Sequence, residues 1–229
     1  CVVPLDIVVY DLFINRSKHK EYPLILRNRI IWTFGHGLNG TKRFSGRHET
    51  ILWFTKGEQT VFNLDDVRVP QKYPGKKAYR GKHKGEYSGN PKGKNPEDVW
   101  EMTVSRLIDD WDALIWDIPN VKNNHPEKVE HPCQYPVELA ERCILALTDE
   151  GDIVYDPFAG VGASLVAALK NGRRAYGSEW EQKFVDTGLD RLRRLREGTL
   201  LTRPIHREIW MPKPGDKIAH IPEEWNQAQ

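Results

Sequence analysis

Asp156-Pro157-Phe158-Ala159-Gly160-Val161-Gly162 decides how this chain folds. It follows a short β-like run, Ile153-Val154-Tyr155, and leads into a helix-forming run, Ala163-Ser164-Leu165-Val166-Ala167-Ala168-Leu169. Strand, glycine-rich turn and helix in that order let the backbone approach a nucleotide-like ligand closely, since glycine has no Cβ to hold the ligand off. The next β-like run, Arg174-Ala175-Tyr176-Gly177-Ser178, ends on a second acid, Glu179. This is near the ~20-residue offset at which a carboxylate accepts hydrogen bonds from a ribose. The glycines alone are a weak signal. With two strands, a helix and the terminal acid they predict an α/β, Rossmann-like sheet.

The pattern departs from a dinucleotide fingerprint. Asp156 stands before the glycines, and Pro157-Phe158 replaces the first glycine. A carboxylate there would repel a pyrophosphate and attract a ligand carrying an ammonium. S-adenosylmethionine, with its sulfonium, ammonium, ribose diol and adenine, suits these residues better than NAD. The alternative is that Asp156 only caps the turn and the glycines only allow tight strand–helix packing.

His131-Pro132-Cys133-Gln134-Tyr135-Pro136, a helix, and then the Asp156–Gly162 stretch resemble the C-terminal half of a bacterial amino-group DNA methyltransferase, in the motif order of the β class. The resemblance extends to Leu26–Trp32, Arg43–Lys56, Asn90–Trp100 and Ile118–Val121, and covers roughly residues 4 to 196. It implies an S-adenosylmethionine-dependent methyltransferase (Rossmann-like) sheet with helices on both faces and an inserted, irregular target-recognition region. The implied reaction is methylation of an exocyclic amine in double-stranded DNA, adenine N6 first and cytosine N4 as the alternative. It needs no metal, but it needs a flipped base and acceptors for the amine protons.

The resemblance also implies roles. Asp156, Phe158, Ala159, Gly160 and Gly162 would form the cofactor floor, and Glu179 would bind the ribose. His131 and Gln134 would lie at the methionine carboxylate end, with helix capping as the plainer role for His131. Trp180 is a candidate for covering the adenine, against ordinary core packing. Arg43, Phe44, Arg47 and His48 would lie near the flipped base and backbone, Phe44 being the candidate stacking aromatic.

The family's catalytic tetrapeptide, (Asp/Asn/Ser)-Pro-Pro-(Tyr/Phe/Trp), does not occur in these residues. Asp117-Ile118-Pro119-Asn120 lacks its second Pro and its aromatic, so the catalytic residues stay unassigned. The expectation is that the sequence is a fragment, or that a second chain or copy supplies the central strand and this motif. Other readings are a non-catalytic cofactor- or DNA-binding subunit and, disfavoured by Asp156-Pro157-Phe158, a nicotinamide-dependent oxidoreductase.

Four regions are expected. Residues 1–62 would form the second part of a catalytic subdomain, with neighbouring antiparallel strands over 29–34 and 50–55 after a surface helix over 5–15. Residues 63–125 would be the inserted DNA-contact region, and 126–197 the cofactor-binding subdomain, with helices over 136–147 and 184–196. Residues 198–229 would be an extended arm. In the last helix the apolar Leu189, Leu192 and Leu195 alternate with the basic Arg191, Arg193, Arg194 and Arg196.

The formal charge of +2 over 229 residues says little about partners. Between Arg68 and Lys94, however, lie Lys72, Lys76, Lys77, Arg80, Lys82, Lys84 and Lys92, with Glu86 the only acid and Tyr73, Tyr79 and Tyr87 interleaved. Such a stretch buries little apolar surface and reads as a surface loop or flexible arm. Its cations can neutralise phosphates and its rings can stack on bases. By composition alone a solvated Lys-rich loop fits as well; the family resemblance favours DNA contact. The three cysteines lack metal or disulfide spacing. No apolar run of about 18 residues suggests a membrane span, and a prokaryotic cytoplasm is the expected location.

Overall fold

The computed structural model describes residues 5–16, 24–33, 41–42, 46, 48–69, 77–100, 121 and 125–204. Arg43, Phe44, Arg47, Lys72, Lys76 and the chain from 205 lie outside the described residues.

The chain opens with α1 (Leu5–Tyr10), which runs into a π-helical turn over Asp11–Asn15. Two long strands rich in β-branched and aromatic residues follow, β1 (Leu24–Thr33) and β2 (His48–Lys56), paired antiparallel as expected and each longer than the sequence suggested. The register slips between Leu26 and Asn28, so Arg27 is the extra residue of a bulge. Its guanidinium reaches back to Thr55 Oγ1 at 2.8 Å and to the carbonyls of Gly57 and Glu58 at 3.0 and 2.7 Å. A two-residue strand, β3 (Val99–Trp100), lies parallel to β1 on its other side, giving the order β2-β1-β3.

The second sheet pairs β4 (Ile153–Asp156) with β5 (Arg174–Gly177) in parallel. Between them runs α4 (Ala163–Lys170), and α5 (Gln182–Arg196) follows. α3 (Val137–Leu147) joins the two halves. Leu139 and Ala146 pack with Trp32, Val67, Val69 and Trp100, while Val137 and Ile144 pack with Ala163, Val166, Ala167 and Ala168. Val137 and Val166 are fully buried, each contributing about 1.5–3 kcal/mol of transfer free energy.

Three features add to the sequence reading. The 63–125 region is anchored through its described residues. α2 (Leu64–Val67) packs on α3, Asn63 N–H donates to Ala146 O at 2.7 Å, and Val67, Val69 and Trp100 belong to the core. In α5 Leu189 is 59% exposed and Arg191 only 2%. Among the described residues, helices cover one face of the β4–β5 pair, and Ile153, Tyr155 and Tyr176 stand exposed on the other. No helix among the described residues is long and apolar enough to cross a membrane.

Candidate functional site

The turn between β4 and α4 is built by its glycines and by Asp156. Gly160 and Gly162 have φ of +52° and +75°, the left-handed region that side chains disfavour. Asp156 Oδ1 accepts the N–H of Phe158 at 2.9 Å. Its Oδ2 accepts the Ser164 hydroxyl and, at 3.3 Å, the Tyr135 hydroxyl. Burial, helped by the Asp156 charge, pushes the Tyr135 phenol up to about 12, so it stays a donor. Asp156 therefore does cap the turn, and it also ties β4 to α4 and to the segment before α3.

Glu179, two residues past β5, closes the other side. Oε2 accepts the Gly160 N–H at 2.8 Å, and Oε1 accepts those of Trp180 and Glu181 at 2.9 Å each. These backbone donors, Glu181's first, hold the carboxyl below its ordinary range. β5 comes close because Gly177 lacks a side chain: a Cβ there would stand 2.9 Å from Ala159 Cβ.

His131 joins the site. Its Nε2 would lie 3.1 Å from a Cβ on Gly160, and its ring meets Phe184 edge-on at 4.4 Å. Nδ1 accepts the Cys133 N–H at 3.1 Å, so His131 caps its own turn rather than α3. Burial holds its imidazole below the ordinary value. Lys128 Nζ reaches the His131 carbonyl at 3.4 Å, and Lys183 Nζ sits 4.8 Å over the Phe184 ring. The site is thus basic at Lys128 and Lys183, beside His131, and acidic at Asp156 and Glu179.

Phe158 and Trp180 are 87% and 95% exposed, which removes core packing as the role of Trp180. Two large rings beside a carboxylate and a glycine turn can take a flat heterocycle. Gln134 does not reach this surface. It is buried, its Nε2 donating to Glu127 O at 2.7 Å and its Oε1 accepting the Val129 N–H at 3.1 Å.

The basic region divides in two. Residues 77–87 form a hydrogen-bonded hairpin, not a flexible arm, with Ala78 N–H to Glu86 O at 2.9 Å and Gly85 N–H to Ala78 O at 2.8 Å. Tyr79 and Tyr87 are exposed, with Arg80 and Lys77 each 5.2 Å over a ring. Glu86 pairs with His83, and Lys77, Arg80, Lys82 and Lys84 have no acidic partner among the described residues. Lys92 and Lys94 are engaged instead with Asp65 at 2.5 Å and Glu97 at 2.6 Å. Arg68 also grips Asp65, and Val69 and Lys94 exchange both backbone hydrogen bonds. These residues brace the hairpin's base. His48, the first residue of β2, is exposed.

Sequence reasoning missed Ser164, Tyr135, Glu127, Gly188 and Arg191 around the turn. A usable signal existed for one pair: Gly188 and Arg191 are three apart, hence on one face of α5.

A family profile described as DNA methylase matches residues 10–190, and the chain belongs to this family. The type II methyltransferase M.BglII of Bacillus subtilis is 45% identical over 184 residues, 80% of this chain and 45% of that protein. The DNA adenine methyltransferase YhdJ of Escherichia coli (strain K12) is 31% identical over 169 residues, 73% of this chain and 52% of that one. Among solved structures, the PvuII DNA methyltransferase (cytosine-N4-specific) superposes with a TM-score of 0.51 at 15% identity, over 81% of this chain and 55% of that one. At that identity the likeness shows the fold, which is the one the PvuII DNA methyltransferase adopts. The chain spans about half the length of the curated relatives it matches.

Proposed function

We propose that this chain binds S-adenosylmethionine at the Asp156–Gly162 turn and serves transfer of its methyl group to an exocyclic amine of a flipped base in double-stranded DNA. The observation that carries the reading is the convergence, in a member of the DNA methylase family, of the glycine turn, Glu179, and the exposed rings of Phe158 and Trp180. Glu179 would take the ribose hydroxyls, and Trp180 or Phe158 the adenine. The basic end at Lys128 and Lys183, beside His131, would face the methionine carboxylate. Transfer is an in-line attack of the amine on the sulfonium methyl, which the protein assists by orientation and by accepting hydrogen bonds from the amine.

DNA would be met by the hairpin tip, through Lys77, Arg80, Lys82 and Lys84, and by Arg43, Arg47, Lys72 and Lys76. Adenine N6 is the acceptor carried forward, with cytosine N4 the alternative. Acceptor atoms for the amine are supplied from outside these residues, by a further segment or a second chain. The open edges of β2 and β4 among the described residues support that reading, since unpaired ladder groups seek partners. Action on the chromosome would put the protein at the bacterial nucleoid.

The test is a radiolabelled methyl-transfer assay on unmethylated bacterial DNA, with digestion to nucleosides and calorimetric titration of S-adenosylmethionine alongside. Label in N6-methyladenine or N4-methylcytosine supports the reading and names the base. Cofactor binding without transfer supports a chain that works with a second component. Absence of both sinks the proposal.

A further inference from the structure

We propose that Arg191 is a positioning residue for the glycine turn, fixing the Val161–Gly162 peptide from beneath so that the turn is shaped before its ligand arrives. The proposal rests on the cofactor reading above.

α5 reaches the underside of the turn at Gly188. A Cβ there would stand 3.6 Å from the Val161 carbonyl carbon and 3.8 Å from Gly160 O and Gly162 N, so helix backbone and turn backbone are in contact. One turn later on the same face comes Arg191, buried, whose Nη1 donates to Val161 O at 2.6 Å. Other groups of the turn are tied as well. Gly160 N–H goes to Glu179, Gly162 N–H to Ala159 O at 2.7 Å, and Gly162 O accepts Val166 N–H at 2.9 Å. Val161 is 3% exposed, and its carbonyl is held by a side chain from another element. Without that donor a buried carbonyl loses its partner, and the peptide plane is free to rotate towards one. Rotation would move Gly162 off its left-handed conformation and re-aim the groups that face the ligand.

The cation is itself anchored. Glu127, fully buried, stands 3.9 Å from Arg191 Nη2. Its own oxygens accept Val137 N–H at 2.8 Å, at the start of α3, and Arg203 N–H at 2.9 Å. The Glu127 carbonyl accepts from Gln134, three residues beyond His131. One buried carboxylate therefore couples Arg191, and through it the turn, to the start of α3 and to the His131 segment. Arg191 Nη2 has no hydrogen-bond partner among the described residues, which hold the guanidinium by one short bond and one charge rather than by a fork. A lysine can serve the carbonyl or the carboxylate but lacks the span for both.

The experiment compares the wild-type chain with R191M, R191K and E127Q. It reads calorimetric binding of S-adenosylmethionine, thermal midpoint, and amide hydrogen exchange at Gly160, Gly162 and Ala163 without ligand. R191M should weaken binding about ten- to a hundredfold, the scale of a hydrogen bond to a charged group. R191K should recover most of the thermal midpoint and only part of the affinity, with exchange raised at the turn and unchanged along β1 and β2. Should R191M fail to fold, R191K alone decides. Binding within twofold of wild type in R191K, or exchange raised evenly along the chain, would overturn the proposal. If the wild type does not bind S-adenosylmethionine, the cofactor reading falls while the turn-specific exchange still tests the role of Arg191.

Discussion

Glu179 Oε2 accepts the backbone N–H of Gly160 at 2.8 Å, joining the end of β5 to the middle of the glycine turn. The same carboxylate accepts Trp180 and Glu181 N–H through Oε1, so three of its roughly four lone-pair directions are occupied. The residue read from sequence as a ribose ligand is also the clasp of the turn. A ribose diol must use the remaining direction of Oε2 or displace Gly160 N–H.

Glu179→Gln should therefore do more than remove one ligand contact. The amide has one acceptor oxygen and cannot serve both sides of the clasp. S-adenosylmethionine affinity, read by calorimetry, should fall at least about tenfold. An affinity within twofold of wild type would show that the carboxylate is only a structural clasp that its amide can replace.

Close approach makes Gly177 and Gly160 sensitive for different reasons. Ala at Gly177 would press its Cβ against Ala159 Cβ at 2.9 Å and Leu165 Cδ1 at 3.0 Å. Leu165 can turn away and Ala159 cannot, so G177A should cost about 1–3 kcal/mol in urea denaturation. G160A meets His131 Nε2 at 3.1 Å and is forced to a φ of +52°. It should lose about 1–2 kcal/mol for the left-handed conformation alone and weaken cofactor binding as well. An unchanged urea midpoint for both would contradict the observed packing.

Much of this was legible in the sequence, because local physics decides it. The β4–turn–α4–β5 unit is contiguous, and its glycines, its acids and the apolar run Val166-Ala167-Ala168 point the same way. Lys92 and Lys94 read like their neighbours because composition carries no partners. Only the fold brings Asp65 and Glu97 to them. Arg191 lies between Leu189 and Leu192 in a helix where Arg193 and Arg196 are exposed and Arg194 is half-buried. What buries it is Glu127, 64 positions earlier, so no window along α5 holds the signal. Gln134 likewise sits within a motif yet hydrogen-bonds to residues 127 and 129.

Trp180 stands 95% exposed immediately after Glu179. Stacking of the cofactor's adenine on it should change its fluorescence and exclude water from the ring. W180A should weaken S-adenosylmethionine binding and W180F should restore most of it, with thermal midpoints unchanged because the indole is almost fully exposed. Calorimetry separates this from the alternative: equal affinities would move the adenine to Phe158.

Two imidazoles set an acid limit on stability. Burial comes first in holding both His125 and His131 below their ordinary value of 6.5. His131 also faces Glu179, which opposes the shift, and Lys128 and Lys183, which add to it. The unfolded chain takes up protons as pH falls through 6.5, whereas the folded chain waits until lower pH. Stability should therefore decline as pH drops from 6.5 to the folded-state values, with no contribution from these groups above that window. H131N should reduce this slope in urea midpoints measured between pH 7.5 and 5. A slope identical to wild type would mean that His131 is not the titrating group.

The hairpin makes the sharpest distinction between contact and brace. Lys77, Arg80, Lys82 and Lys84 lie on the 77–87 hairpin, while Lys92 is bound to Asp65 at its base. If each of the four neutralises a phosphate, replacing all of them by Ala should lower the slope of log K against log salt by roughly 3.6, or 0.9 per contact. Anisotropy of labelled duplex DNA across a potassium chloride series reads this directly. K92A should leave the slope near the wild-type value, because its ammonium is engaged within the protein. Its affinity should drop modestly and equally at every salt concentration as the hairpin loosens on α2. A K92A slope reduced by a full unit would make Lys92 a phosphate ligand and its Asp65 pairing dispensable. An unchanged slope in the quadruple variant would move the DNA-binding surface off the hairpin altogether.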